Sequence, residues 1–270
     1  MAKFSLITGA TGGLGRAFVF ECANRGDNLV LTGTNQTKLE NITNEINEKF
    51  PNIQVISKTC DLSSFESRNE FFSYLKSQDI EIDFLVNNAG YIIEGEFLLH
   101  TNEEILKAIQ VNCEGTIDMT QRVIKNRNKE EKLHIITIAS MAGYYPMPYM
   151  AIYAGTKALL KNFMIALNKE MKGKNVFITT VCPSGIPTTD AMKEAIKSQG
   201  FAGEMTACSP EKIVKISMRA SRKHKVVVVP KFINKFIVVL SNLFGDKLLA
   251  SITGRMWKKS QDKRGFKGEK

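Results

Sequence analysis

Residues 8–15 read TGATGGLG, and the fold turns on how this octet is read. It follows Lys3–Thr8, a short apolar run with the character of a strand, and it leads into Gly13–Arg25, whose apolar residues recur at helical spacing. Strand, tight turn and helix in that order set the first amides of the helix at the carboxyl end of the strand. Such amides, reached over a backbone bare of side chains, suit the close approach of a phosphate. The glycines Gly9, Gly13 and Gly15 follow a G-x-x-x-G-x-G order rather than the G-x-G-x-x-G dinucleotide fingerprint, and Gly12 adds slack. Taken alone, the octet reads equally well as an ordinary turn with incidental glycines. The rest of the chain has to decide.

Outward from the octet, strands and helices alternate. Strands are expected at Asn28–Thr32, Gln54–Thr59, Asp83–Asn87, Lys132–Ala139, Asn175–Cys182 and the all-valine Val226–Val229. Helices are expected at Gln36–Phe50, closed off by Pro51; at Ser63–Gln78, capped by Ser63 or Ser64; as one long helix over Asn102–Asn126; and at Tyr149–Met171. The strands are almost continuous apolar runs, as required when both faces of a parallel sheet are covered. The expected fold is a doubly wound, Rossmann-type α/β sheet with helices on both faces and ligands beyond the carboxyl ends of the strands.

Composition agrees with this. The chain has 270 residues, 43% hydrophobic and 24% charged, enough for one large core and unlike a disordered chain. Residues 1–229 are expected to form the dinucleotide-binding and catalytic unit, and residues 230–270 a basic amphipathic helical tail. The five cysteines are scattered, with no Cys-x-x-Cys pair, which argues against a metal site or disulfide framework and for a reducing compartment. The stretch MAKFSLITGATGG lacks the long apolar region of a signal peptide, so no leader is expected, and no run of about 18 apolar residues occurs. A cytoplasmic location is therefore expected, with the tail offering peripheral contact at the inner face of a membrane. Residues 212–270 hold 16 basic against three acidic residues, so the net charge of +10 belongs to the C-terminal fifth. That describes one surface, not a nucleic-acid-coating protein.

Further residues give the octet a context. Asp61-Leu62 follows the third strand, Asn87-Asn88-Ala89-Gly90 closes the fourth, and Asn112 lies in the helix after it. Ser140 ends the fifth strand, thirteen residues before Tyr153, and Lys157 lies four beyond Tyr153. Pro183-Ser184-Gly185-Ile186-Pro187-Thr188 follows the sixth strand. With TGATGGLG, this ordered set resembles the short-chain dehydrogenase/reductase family from about Lys3 to Val229. The resemblance implies a carbonyl–alcohol oxidoreductase that uses a nicotinamide cofactor. One position departs from the family pattern PGxxxT: Ser184 stands in place of its glycine.

By this resemblance the catalytic set is Asn112, Ser140, Tyr153 and Lys157. Of the four tyrosines Tyr144, Tyr145, Tyr149 and Tyr153, only the last has a lysine at i+4, where side chains share a helix face. A phenol titrates near 10, too high for efficient proton exchange at neutral pH. A neighbouring ammonium is expected to lower it. Tyr153 then gives a proton to the carbonyl oxygen during reduction and takes it back during oxidation. Ser140 holds that oxygen, Lys157 also binds ribose hydroxyls, and Asn112 supports a water that relays protons to Lys157. Cys113 is read as packing. The cofactor set implied is Gly9, Thr11, Gly12, Gly13, Leu14, Gly15, Asp61, Leu62, Asn88, Ala89, Gly90, Tyr153, Lys157, Pro183, Gly185, Ile186 and Thr188. Gly33 stands where NAD-preferring relatives carry Asp, so the carboxylate that would repel a 2′-phosphate is missing. Thr34, Asn35 and Lys38 are the candidates to hold that phosphate. NADP(H) is therefore the preferred cofactor, with NAD(H) as the other option.

Residues 184–210 are expected to form a mobile lid. With Met141, Met147 and the tyrosines, they would line an apolar, adaptable site for an apolar carbonyl or alcohol. In the tail, Phe232, Phe236, Leu240 and Leu243 fall on one helical stripe. A second, short helix is expected around Leu248–Trp257, and the residues from Ser260 onward are expected to be frayed. Three placements compete for the tail: on its own domain, on another subunit, or in an anionic membrane surface with Trp257 at the headgroups. The family resemblance implies a homodimer or homotetramer. Two rivals stand beside a cytosolic carbonyl reductase: a membrane-surface 3-oxoacyl or lipid ketone reductase, and a non-catalytic nucleotide-binding redox sensor.

Overall fold

The computed structural model describes residues 3–265. Seven parallel strands form one sheet: β1 (Lys3–Thr8), β2 (Asn28–Gly33), β3 (Val55–Thr59), β4 (Glu81–Asn87), β5 (Leu133–Ile138), β6 (Val176–Val181) and the two-residue β7 (Val227–Val228). Their spatial order is β3-β2-β1-β4-β5-β6-β7. The order reverses between β1 and β4, which opens a crevice at their carboxyl ends where this architecture places ligands. In register, Thr8 pairs with Thr32 and Asn87 with Thr137, so the strands end nearly level.

The connections are helical. On the way across the sheet the chain forms α1 (Gly13–Asn24), α2 (Gln36–Lys49), α3 (Phe65–Ser77), α4 (Asn102–Ile109), α5 (Thr116–Asn126), α6 (Ala151–Glu170), α7 (Asp190–Ser198), α8 (Phe201–Thr206) and α9 (Pro210–Arg222). After β7 come α10 (Phe232–Ser241) and α11 (Asp246–Lys263). Two apolar layers cover the sheet. One, with Ile7, Phe18, Leu31 and Ile136, lies under α1, α2 and α9. The other, with Leu6, Phe71, Leu85 and Met119, lies under α3, α5 and α6. Complete burial of a side chain such as Phe18 or Leu85 stabilises the fold by about 2 kcal/mol.

Four expectations change. The helix expected over residues 102–126 contains a π-helical segment, Gln110–Gly115, which carries Asn112. The helix starting near Tyr149 begins at Ala151, because Tyr149 has a φ of +66°. The lid holds two helices, α7 and α8, in place of a loop. The second tail helix has 18 residues and takes in Ser260 and Gln261, both buried, so the chain is not frayed there. The last five residues, 266–270, lie outside the described residues.

Candidate active site

The glycine turn is folded on itself. Gly9 has a φ of +62°, and a Cβ on it would lie 2.9 Å from Ala89 Cα. A Cβ on Gly15 would lie 2.0 Å from the Gly9 carbonyl oxygen, and one on Gly13 would lie 2.6 Å from Thr188 Cβ. Backbone is packed where side chains would normally stand. The exception is Gly12, whose would-be Cβ meets only the Gly9 oxygen at 3.5 Å. Gly12 caps α1 without a side-chain hydrogen bond, and no acidic residue lies in the first turn. The uncapped amides and open approach fit a pyrophosphate. Leu14 is buried beneath them. Thr8 and Asn88 fasten the turn to β4. Thr8 Oγ1 accepts from the amides of Asn88 (3.0 Å) and Ala89 (3.1 Å), and Asn88 Nδ2 donates to the carbonyls of Thr8 and Gly9 at 3.1 Å.

At the adenine end the would-be Cβ of Gly33 lies 3.6 Å from the Thr11 hydroxyl, with no carboxylate beside it. Thr34 and Lys38 are exposed. Asn35 Oδ1 accepts from the Lys38 amide at 2.9 Å, so its oxygen caps α2 and only its amide donor is left for a phosphate. Asp61 Oδ1 accepts from the Ser63 amide (2.9 Å) and hydroxyl (2.6 Å). Burial works to raise this carboxyl, but the bonds from Ser63 outweigh it and hold the group below the ordinary carboxylate range. Leu62 is buried beside it.

Asn112, Ser140, Tyr153 and Lys157 meet at the carboxyl ends of β4 and β5. The π-helical segment turns Asn112, wholly buried, onto Tyr91: its Oδ1 accepts from the Tyr91 amide at 2.7 Å, and its Nδ2 donates to the Tyr91 carbonyl at 2.9 Å and to Thr156 Oγ1 at 3.1 Å. Such π-segments occur mostly as local bulges at functional sites. Lys157 Nζ donates to the Ile138 carbonyl at 3.0 Å. A Cβ on Gly90 would stand 3.4 Å from Asn112 Oδ1 and 3.5 Å from Lys157 Nζ, so glycine leaves the lysine room. Ser140 Oγ accepts from the Ala142 amide at 3.1 Å and bonds Tyr153.

The electrostatics differ from expectation. Burial raises the Tyr153 phenol, and the bond with Ser140 is what pulls it down. Lys157 Nζ stands 5.7 Å from the Tyr153 ring centroid and makes no such contribution. Burial instead pushes Lys157 itself down to about 8. Burial raises Cys113 too, and its thiol packs against the Thr156 carbonyl.

Of the other tyrosines, Tyr144 packs in a separate cluster, whereas Tyr145 and Tyr149 pack in the same cluster as Tyr153. Tyr144 and Tyr145 line a cavity of about 490 Å³ with Pro146, Met147 and Ala151, which neither Tyr153 nor Lys157 borders. The Tyr149 carbonyl accepts from the Gly95 amide at 2.8 Å. Met141 is buried with Cys182 and Val229.

After β6, the Pro183 carbonyl accepts from the Met141 amide at 2.9 Å and the Gly185 carbonyl from the Cys208 amide at 3.1 Å. Ile186 packs on the core. The departure at Ser184 now has a physical reason. Its hydroxyl donates to the Thr206 carbonyl at 2.5 Å and accepts from Asn234 Nδ2 at 3.0 Å. Asn234 also donates to the Thr206 carbonyl at 3.0 Å and is wholly buried, so α10 is tied to the lid. Sequence reasoning passed over Asn234, although a single amide in the apolar run FINKFIVV is a readable signal. It also missed Thr156, whose contact with Asn112 spans 44 positions and has no local signature.

α11 packs on its own domain. Thr253 Oγ1 donates to the Pro146 carbonyl at 2.9 Å, Ser260 and Ser198 hydroxyls lie 2.5 Å apart, and Arg264 pairs with Glu94 at 2.6 Å. Trp257 is buried with Met147, Met150 and Ala154, which rules out a position among headgroups.

Comparison with known proteins agrees with this architecture. Very-long-chain 3-oxoacyl-CoA reductases are similar to this chain. That of Emericella nidulans is 32% identical over 66% of this chain and 52% of its own length, and that of Bos taurus is 32% identical over 70% and 61%. The chain thus spans about half the length of the curated relatives it matches. Among solved structures, a 7β-hydroxysteroid dehydrogenase superposes with a TM-score of 0.78 at 23% identity, covering 87% of this chain and 90% of its own. A Sphingobium yanoikuyae short-chain dehydrogenase in complex with NADPH gives 0.74 at 24% identity, covering 86% and 89%. A Burkholderia phymatum short-chain dehydrogenase/reductase in complex with NAD gives 0.75 at 21% identity, covering 88% and 92%. The description short chain dehydrogenase matches residues 3–200. On that match, the chain belongs to the short-chain dehydrogenase family of NAD(P)-dependent oxidoreductases.

Proposed function

We propose that this chain is a carbonyl reductase for an apolar ketone, with a 3-oxoacyl thioester as the substrate class and NADP(H) as the preferred cofactor. The observation that carries the reading is the meeting of Ser140, Tyr153, Lys157 and Asn112 beside an uncapped, glycine-lined helix start. Gly9, Gly12, Gly13 and Gly15 would hold the pyrophosphate, Asp61 and Leu62 the adenine, and Lys157 the ribose. The bound cofactor supplies a hydride to the carbonyl carbon. Ser140 and Tyr153 hold the carbonyl oxygen, and Tyr153 gives it the proton. A raised phenol keeps that proton until charge develops on the oxygen, which suits a general acid in the reducing direction. Lys157, easily deprotonated because it is buried, can pass a replacement proton from the Asn112 side toward Tyr153.

The cofactor preference rests on the missing carboxylate at Gly33 and on the exposed Thr34 and Lys38. Titration with NADPH and NADH, followed by nicotinamide fluorescence, tests it. Tighter NADPH binding is expected, and equal binding removes the NADP reading. In the same assay Tyr153→Phe is expected to keep cofactor affinity and lose at least a hundredfold in turnover. Unchanged turnover would remove Tyr153 as the acid, and cofactor binding with no turnover in the parent would favour the redox sensor.

A second observation favours peripheral contact with an anionic membrane surface. α10 and the turn after it leave Phe232 (84%), Phe236 (54%), Val239 (62%) and Leu243 (75%) exposed, with Lys235 and Lys247 exposed close by in the chain. An apolar face rimmed by lysines suits a bilayer interface. No helix among the described residues is long and apolar enough to cross a membrane. Leu106 and Ile109 of α4 and Leu159 of α6 are also exposed, on helices that touch, and this supports pairing of subunits there. Sedimentation would read the assembly.

A further inference from the structure

α11 is tied to three segments that leave the sheet at its ligand side. Thr253 holds the stretch after β5 through Pro146, Ser260 holds α7 after β6 through Ser198, and Arg264 holds the stretch after β4 through Glu94. A Cβ on Gly254 would come within 3.1 Å of Pro148, so the helix lies directly on that wall. It therefore spans the mouth over the carboxyl ends of β4, β5 and β6, and its buried face joins the cluster formed by Met147, Met150, Tyr149 and Tyr153.

Two donors on that face have no partner among the described residues: Trp257 Nε1 and Gln261 Nε2. Trp257 is 9% exposed and Gln261 5%, so water does not readily serve them. They stand four residues apart, on one side of the helix. The buried hydroxyls of Thr253 and Ser260 on the same helix are both bonded. A buried donor without a partner is costly, and two together mark a place built to receive an acceptor. An indole N–H donates and cannot accept, so the guest must present an oxygen lone pair. Neither donor carries charge and Trp257 lies among methionine and aromatic side chains, which disfavours an anion. A neutral carbonyl oxygen meets both conditions.

We propose that Trp257 and Gln261 form a second carbonyl-binding subsite. They donate to the thioester oxygen of a 3-oxoacyl substrate while Ser140 and Tyr153 take its ketone oxygen. The inference rests on the reading of the chain as a carbonyl reductase. It adds that α11 selects substrates with a second carbonyl close to the first, over simple ketones of equal length.

Trp257 is the single tryptophan of the chain, so its emission reports this subsite without turnover. The full chain carrying Tyr153→Phe is titrated with a short 3-oxoacyl thioester and, separately, with a simple ketone of matched length. The thioester is expected to shift the emission and the ketone to leave it unchanged. Adding Gln261→Met is expected to raise the thioester dissociation constant at least tenfold and to leave that of the ketone unaltered. In the chain with Tyr153 intact, Trp257→Phe, which keeps the ring packing, is expected to lower kcat/KM at least tenfold for the thioester alone. Equal emission responses to the two probes, or equal losses for both, would overturn the subsite. Reduction of either probe by the unsubstituted chain with NADPH tests the underlying reading separately. Its absence sinks the carbonyl reductase reading, while the emission titration still decides whether the two donors bind an acceptor.

Discussion

A buried lysine carries most of the electrostatic tension of the site. Lys157 falls to about 8 in the fold, because burial disfavours its charge, against 10.5 as an ordinary side chain. Below pH 8 the lysine is charged folded or unfolded, and the fold bears the whole burial cost. Between pH 8 and 10.5 the unfolded chain keeps a proton that the folded chain has lost, so this group's contribution to stability rises with pH, by about 3 kcal/mol over the window. Lys157→Met removes the cost at every pH. The variant is expected to be more stable than the parent at pH 7, with the difference shrinking toward pH 10; urea midpoints across that range check this. At this scale the sequence was partly legible. The i, i+4 spacing of Tyr153 and Lys157 put them on one face. It could not show that Nζ turns to the Ile138 carbonyl, because that bond joins a helix to a strand nineteen positions earlier. The expected effect of lysine on the phenol failed for that reason.

Among the elements, α3 controls more than its own packing. Arg68 is almost wholly buried, and from α3 it reaches Asp118 of α5 at 2.7 Å, Glu114 of the π-helical segment, and the Leu62 carbonyl. It clamps the segment that presents Asn112 to the strand end that would meet adenine. A Cβ on Gly115 would strike the Leu62 carbonyl at 2.5 Å, so these elements are in backbone contact. Arg68→Met leaves Asp118 without this partner and is expected to cost about 3 kcal/mol in denaturant titration. NADPH affinity is expected to fall with it, since Leu62 shifts. A stable variant with full affinity would show the clamp to be idle. The strands were readable to within two residues, because near-continuous apolar runs bounded by polar turns have few other meanings. The π-helical break was not readable: QVNCEG keeps helical spacing, and its extra residue per turn answers to the Tyr91 and Thr156 contacts across the crevice.

For the whole molecule the question is what the basic end does. The 16 basic residues of residues 212–270 were visible in the sequence, but whether the tail packs or projects was not. The structure divides the answer between its helices. α11 is docked through Trp257, whereas α10 docks through Asn234 and Val238 and leaves its phenylalanines outside. Phe236→Glu and Leu243→Glu change exposed positions and should leave the fold within about 0.5 kcal/mol of the parent. Both are expected to reduce flotation with phosphatidylserine vesicles severalfold, and 0.5 M salt is expected to weaken flotation of the parent. Flotation that ignores both charge and salt would end the membrane reading.

The order of synthesis gives the placement of α11 a temporal meaning. A chain emerges amino end first, at about 5–20 residues per second, and folds in that order. Every strand of the sheet and every glycine of the turn precedes Asp246, where α11 begins. The nucleotide cradle is complete while the wall over the mouth is still unmade. If the proposed roles hold, a chain shortened before Asp246 is expected to bind cofactor and to have lost discrimination among substrates.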